Sequence, residues 1–183
     1  MVSFEEIQAA YYMVAATGVL VAAVYYIIVV RINQRNMRIT LTNNLIQRLM
    51  TDEFMEKYTE LVYMDWGDYD DFEKRYGSDT NPENFMKRVI VFSIYDSLGT
   101  LLKQGLADKD ILYNSQMAYS CTYVWHKFRG VLEENRRLYS GADAWNGFEY
   151  LANEMVKMKR VRDPNYRVEM GNPRYDESKK KTP

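Results

Sequence analysis

From Ala9 to Val30 the chain carries no charged side chain, and Arg31 closes the run. As α-helix at ~1.5 Å per residue this stretch is about 33 Å long, enough to cross a hydrocarbon core of roughly 30 Å. A buried core helix of a soluble protein is the competing reading. The length of the run and the three arginines after it, Arg31, Arg35 and Arg38, favour a transmembrane helix over 9–30. Residues 1–8 contain Glu5 and Glu6 and no Lys or Arg. Positive residues stay on the cytoplasmic side, so the short N-terminus (1–8) is expected outside and the following domain in the cytoplasm. A cleaved signal peptide would begin basic, have a shorter apolar core and end in small residues; none of these is present. The three arginines set topology and would meet lipid head groups at about 1 kcal/mol each. Tyr11 and Tyr12 fall at the outer interface, whereas Tyr25 and Tyr26 lie inside the inner edge, placed to face a partner helix. Ala15, Gly18 and Ala22 repeat at small-residue spacing, which lets two membrane helices approach closely.

The rest of the chain is the size of one domain. Beyond residue 30 lie all 24 Lys and Arg against 23 of the 25 Asp and Glu, a net charge of about +1. Nucleic-acid binding normally shows a basic face, so no nucleic-acid partner is expected. The single cysteine, Cys121, rules out an internal disulfide and fits a reducing compartment. Sixteen Tyr, eleven Met and three Trp favour protein–protein contact surfaces, although the same residues fill cores.

Apolar periodicity predicts an all-α fold: the membrane helix, a juxtamembrane helix (31–50), a cytoplasmic bundle of about five helices (51–160) and a polar tail (161–183). Thr51 before Asp52 and Glu53 reads as an N-cap, with Glu53–Lys57 an i,i+4 pair. Asp68 reads as the next cap, with Gly77 past that helix's end. Asn81-Pro82 starts a helix that runs to about Gln104 and is apolar nearly all round, the signature of a central element. Asp108 caps a long helix to about Tyr139, and a last helix covers about 144–160. The tail holds three of the four prolines and ends in Lys179, Lys180 and Lys181; alone it should be disordered.

Several short segments together resemble an uncharacterised prokaryotic family, well represented in archaea. These are Gln34-Arg35-Asn36-Met37-Arg38, the run from Asp70 to Gly77, Asn81-Pro82-Glu83, Leu98-Gly99 through Gly105 to Asp108, Trp125 with Phe128, and Phe148-Glu149-Tyr150-Leu151. The family carries a domain-of-unknown-function label. The resemblance implies one N-terminal membrane helix and a helical cytoplasmic domain, and it transfers no catalytic residue.

No pattern of catalytic residues stands out. Asp65, Asp68, Asp70 and Asp71 lack the ligand spacing of a calcium loop, which needs Gly sixth and Glu twelfth; they read as acids at a helix start. His126 has no carboxylate at metal-ligand spacing. Cys121 points about 140° away from it around the same helix, too far for a nucleophile–base pair. Glu133 to Arg137 reads as a solvated face with Glu133 paired to Arg137. No catalytic, metal or cofactor site is therefore expected, and the chain is not expected to be an enzyme. The expected function is a non-catalytic, membrane-anchored accessory or scaffold subunit of a larger membrane complex. Its partners would be the lipid bilayer and other membrane subunits, or a second copy through the membrane helix. The alternative is a membrane-tethered sensing module with a small ligand held between helices near Trp125 and His126. An enzyme using Asp68, Asp70 and Asp71 ranks last.

Overall fold

A computed structural model describes residues 3–139 and 141–168. Met1, Val2 and most of the expected polar tail, including Lys179 to Lys181, lie outside the described residues. Seven α-helices and no strand occur among those described. The chain divides into two compact units, 1–40 and 41–183.

The described residues of the first unit belong to the first helix and its N-terminal cap. α1 (Phe4–Leu49) begins at a reciprocal cap: the Glu6 amide donates to Ser3 Oγ at 3.2 Å, and the Ser3 amide donates to Glu6 Oε2 at 2.8 Å. Such a pair satisfies backbone donors that the first turn leaves over. Within the apolar run Thr17 returns its hydroxyl to the Met13 carbonyl at 2.8 Å, which satisfies that donor inside the helix. An 18-residue window reaches a mean hydropathy of 2.4 with none of it buried. The helix is thus long and apolar enough to cross a membrane. It continues without a break through 31–40 and contributes Thr42, Ile46 and Leu49 to the second unit's core.

The second unit adds α2 (Asp52–Tyr63), α3 (Tyr69–Tyr76), α4 (Pro82–Lys103), α5 (Lys109–Asn114), α6 (Met117–Leu138) and α7 (Asn146–Arg162). Local chemistry sets most of their starts. Thr51 accepts from the Phe54 amide, Asp68 from Asp71, Asn81 from Asn84, and Asp108 from Asp110 and Ile111. Each such cap contributes about 1 kcal/mol. Lys57 pairs with Glu53 at 2.8 Å, as the spacing predicts.

α4 is the central element, packed against α2, α3 and α7. Its closest approach is to α7, where Gly99 faces Gly147. A Cβ on Gly99 would lie 1.7 Å from the Gly147 carbonyl oxygen, and one on Gly147 would lie 2.2 Å from that of Asp96. The Phe148 amide donates to Asp96 Oδ1 at 3.0 Å across this contact. Around it Tyr95 stacks on Phe148 at 5.0 Å, Trp125 meets the same ring edge-on at 5.1 Å, and Phe92 bridges Phe128 and Phe148. Full burial of large apolar side chains such as Phe128 and Phe148 contributes roughly 1.5–3 kcal/mol each.

Three expectations are corrected. The helix predicted from Asp108 to Tyr139 is two helices. Ser115 is extended (φ −84°, ψ 164°) and returns its hydroxyl to the Leu112 carbonyl at 2.7 Å, ending α5. The apolar stripe continues across this corner because both helices pack on the same core. Glu133 pairs with Arg129 at 2.7 Å, leaving Arg137 to Glu134. The last helix starts at Asn146 rather than near 144, because Trp145 adopts a left-handed backbone (φ 61°). That conformation costs a non-glycine residue of order 1–3 kcal/mol, and here the indole packs edge-on against Phe92 at 5.7 Å.

Candidate functional site

The second unit contains a recess of about 410 Å³ among the end of α1, α2 and the α5–α6 corner. Ile46, Leu49, Met50, Phe54, Met55 and Tyr58 form one wall, and Ser115, Gln116, Met117, Tyr119 and Ser120 form the other. Each wall has a local origin. The Thr51 cap turns the chain between α1 and α2, bringing Leu49 and Met50 beside Phe54. The Ser115 corner turns α5 into α6 and presents 115–120 as a polar-and-aromatic edge. The α1 end is fixed to this region by Thr42, whose hydroxyl accepts the Asp108 amide at 2.8 Å. None of the eleven lining residues is an acid, a lysine, an arginine or a histidine.

Behind the recess lies Tyr95, fully buried, whose ring meets Phe54 edge-on at 6.0 Å. Its hydroxyl has no hydrogen-bond partner of acceptable geometry, although Ser120 lies close enough to influence it. Burial raises the Tyr95 phenol well above its ordinary range, and the same cause raises Tyr58. Both therefore stay protonated donors at neutral pH.

The residues singled out from sequence do not come together here. Cys121 is fully buried beside Ala118, and burial pushes its thiol up to about 12. His126 Nε2 is buried without a partner; burial, with Arg129 and Arg160 nearby, lowers its pKa and favours the neutral ring. Trp125 is packed against Phe148, and neither it nor His126 lines the recess. The sensing alternative thus meets a cavity elsewhere than expected. In the acidic segment Asp68 caps α3, while Asp71 accepts the Gly67 amide at 3.0 Å and pairs with Arg75 at 2.8 Å. Among the described residues no three His, Cys, Asp or Glu side chains are grouped to hold a metal ion.

In the first unit Ala15, Gly18 and Ala22 are exposed, and a Cβ on Gly18 would meet nothing within 4 Å. Tyr25 and Tyr26 are also exposed, as are Arg31, Arg35 and Arg38.

A buried cation, Arg88, and a half-buried one, Lys127, carry no mark in the sequence, and both hold helix ends. Arg88 donates from Nε to Asn84 Oδ1 at 3.1 Å and from Nη2 to the Tyr76 carbonyl, with its guanidinium 4.6 Å from the Phe72 ring centre. Lys127 donates to the Val62 and Met64 carbonyls at 2.5 and 2.6 Å, at the C-terminus of α2. A cation is favoured there by the helix dipole. Neither position breaks its helix's pattern, so no local signal marks them.

Fold and residues together define a class: an all-helical protein with one long apolar N-terminal helix and a compact helical second unit. Residues 12–155 match the family described as Domain of unknown function (DUF4760), and the chain belongs to that family. No curated protein and no solved structure matches the chain.

Proposed function

We propose that the protein is a non-catalytic, membrane-anchored accessory subunit. It packs α1 beside other membrane helices and offers its helical unit to partners on the cytoplasmic face. The observation that carries this reading is the apolar window of α1, of which nothing is buried by the chain itself. So large an apolar surface demands lipid or protein around it. Arg31, Arg35 and Arg38 at its end orient it with the N-terminus outside. The shallow face at Ala15, Gly18 and Ala22 admits a close neighbour, either another subunit or a second copy, and Tyr25 and Tyr26 extend that contact.

The test is extraction from native membranes in mild detergent followed by native mass spectrometry. Co-migration with a fixed set of membrane subunits supports the accessory role. Migration as a lone monomer overturns it. Orientation is read separately, by labelling a Ser3→Cys variant in intact cells with a membrane-impermeant maleimide; protection of the introduced thiol would reverse the topology.

A further inference from the structure

We infer that the recess bounded by Phe54, Tyr58, Met117 and Ser120 binds an uncharged aromatic molecule that carries one carbonyl acceptor. This goes beyond the accessory role and does not depend on it. A volume of about 410 Å³ falls in the range of roughly 300–1,000 Å³ typical of small-molecule sites. The lining holds no charge, so a charged ligand would lose its water without gaining a counter-ion. Phe54 and Tyr58 lie nearly parallel (16°) with ring centres 6.4 Å apart, and Tyr119 sits on the opposite wall. Rings of this kind favour offset or edge-on contact with another ring. Met50, Met55 and Met117 supply the remaining surface, and methionine adapts readily to irregular apolar shapes.

The acceptor follows from the polar end. Ser120 donates to the Met117 carbonyl over a long 3.3 Å. Beside it the Tyr95 phenol is buried without a partner. An unpaired buried donor costs about 1–3 kcal/mol. A ligand carbonyl at Ser120 takes the serine proton in place of the long bond to Met117, and a turn of the Ser120 side chain about Cα–Cβ sets its oxygen to accept from the nearby Tyr95 hydroxyl. The chain Tyr95 O–H to Ser120, and Ser120 O–H to ligand carbonyl, then satisfies every donor. A carboxylate in the same place would find no cation among the lining residues.

Benzophenone tests this directly, because it is an uncharged aryl ketone that cross-links nearby C–H bonds on irradiation. The full-length protein in phosphatidylcholine nanodiscs is irradiated with increasing benzophenone, and adducts are located by peptide mass spectrometry. The expected result is saturable labelling at Met50, Met55 and Met117. Ser120→Ala should raise the half-saturating concentration by about fivefold to tenfold, the equivalent of one lost hydrogen bond. Gln116→Trp, at an exposed position on the rim, should block the labelling by covering the mouth, and thermal melts verify that both variants are folded. The carboxylate analogue 4-benzoylbenzoate should label these methionines far less. Labelling that rises without saturation and treats Met13 and Met37, which lie outside the recess, like Met50 would overturn the assignment. So would labelling indifferent to Gln116→Trp, or equal labelling by the carboxylate analogue.

Discussion

Replacing Gly99 with alanine adds one methyl group, yet it should loosen the whole second unit. The new Cβ would lie 1.7 Å from the Gly147 carbonyl oxygen, and ordinary contact begins at 3.4 Å. The obstacle is backbone on a packed helix, so α4 and α7 must part by about 1.7 Å, the difference between those distances. Parting strains the Tyr95–Phe148 stack and lengthens the 3.0 Å bond from the Phe148 amide to Asp96. Over-packing costs about 1–3 kcal/mol, and a hydrogen bond to a charged acceptor is worth about 1.5–3 kcal/mol. Against these stands the better helix propensity of alanine, about 1 kcal/mol. The net loss is about 1.5–5 kcal/mol, which for a unit of this size lowers Tm by roughly 6–20 °C. Tryptophan fluorescence is the assay of choice, since Trp66, Trp125 and Trp145 all lie in the second unit and none lies in the first. Gly130→Ala is the control: its Cβ meets nothing within 4 Å, so it should hold or gain stability by up to about 1 kcal/mol. If Gly99→Ala melts at or above the Gly130→Ala variant, the close helix contact is wrong.

Arg88→Ala should cost about 3 kcal/mol, since it leaves the Tyr76 carbonyl and Asn84 without their charged donor; a urea midpoint within error of wild type would refute that role. Cys121 should resist iodoacetamide at pH 8 in the native protein and react at once in denaturant, because its thiol is buried and pushed up to about 12. Rapid native alkylation would show that α6 opens locally. His126 has a folded pKa below its unfolded value of 6.5. The unfolded chain therefore binds the extra proton first, and stability falls as pH drops through about 6.5. His126→Gln should flatten that part of the stability–pH curve; an unchanged slope would place the proton elsewhere.

Local features were the legible ones. Caps at Thr51, Asp68, Asn81 and Asp108 depend on residues within three positions, and the structure forms all four. The apolar run of α1 and the all-round apolar character of α4 also needed no tertiary information. What stayed hidden is made by distant segments. Gly99 reads as a mild defect in a helix until Gly147 lies against it. Arg88 gains its role only where Tyr76 and Phe72, from another helix, lie against it. The recess joins the end of α1 and part of α2 to residues 115–120, and no window of sequence contains it. The corner at Ser115 is hidden for another reason: α5 and α6 bury the same face, so the periodicity runs through the break.

The tight fit of α4 against α7 also bears on the order in which the chain is made. α7 is the last described helix, and synthesis proceeds at about 5–20 residues per second. For the time needed to add some fifty residues, α4 stands in the nascent chain without its principal neighbour, and Phe92, Tyr95 and Leu98 have no finished shelter. The hydrophobic first helix leaves the ribosome well before that shelter exists. If α1 enters a membrane as proposed, its early capture would hold growing chains apart during that interval and so protect assembly of the second unit.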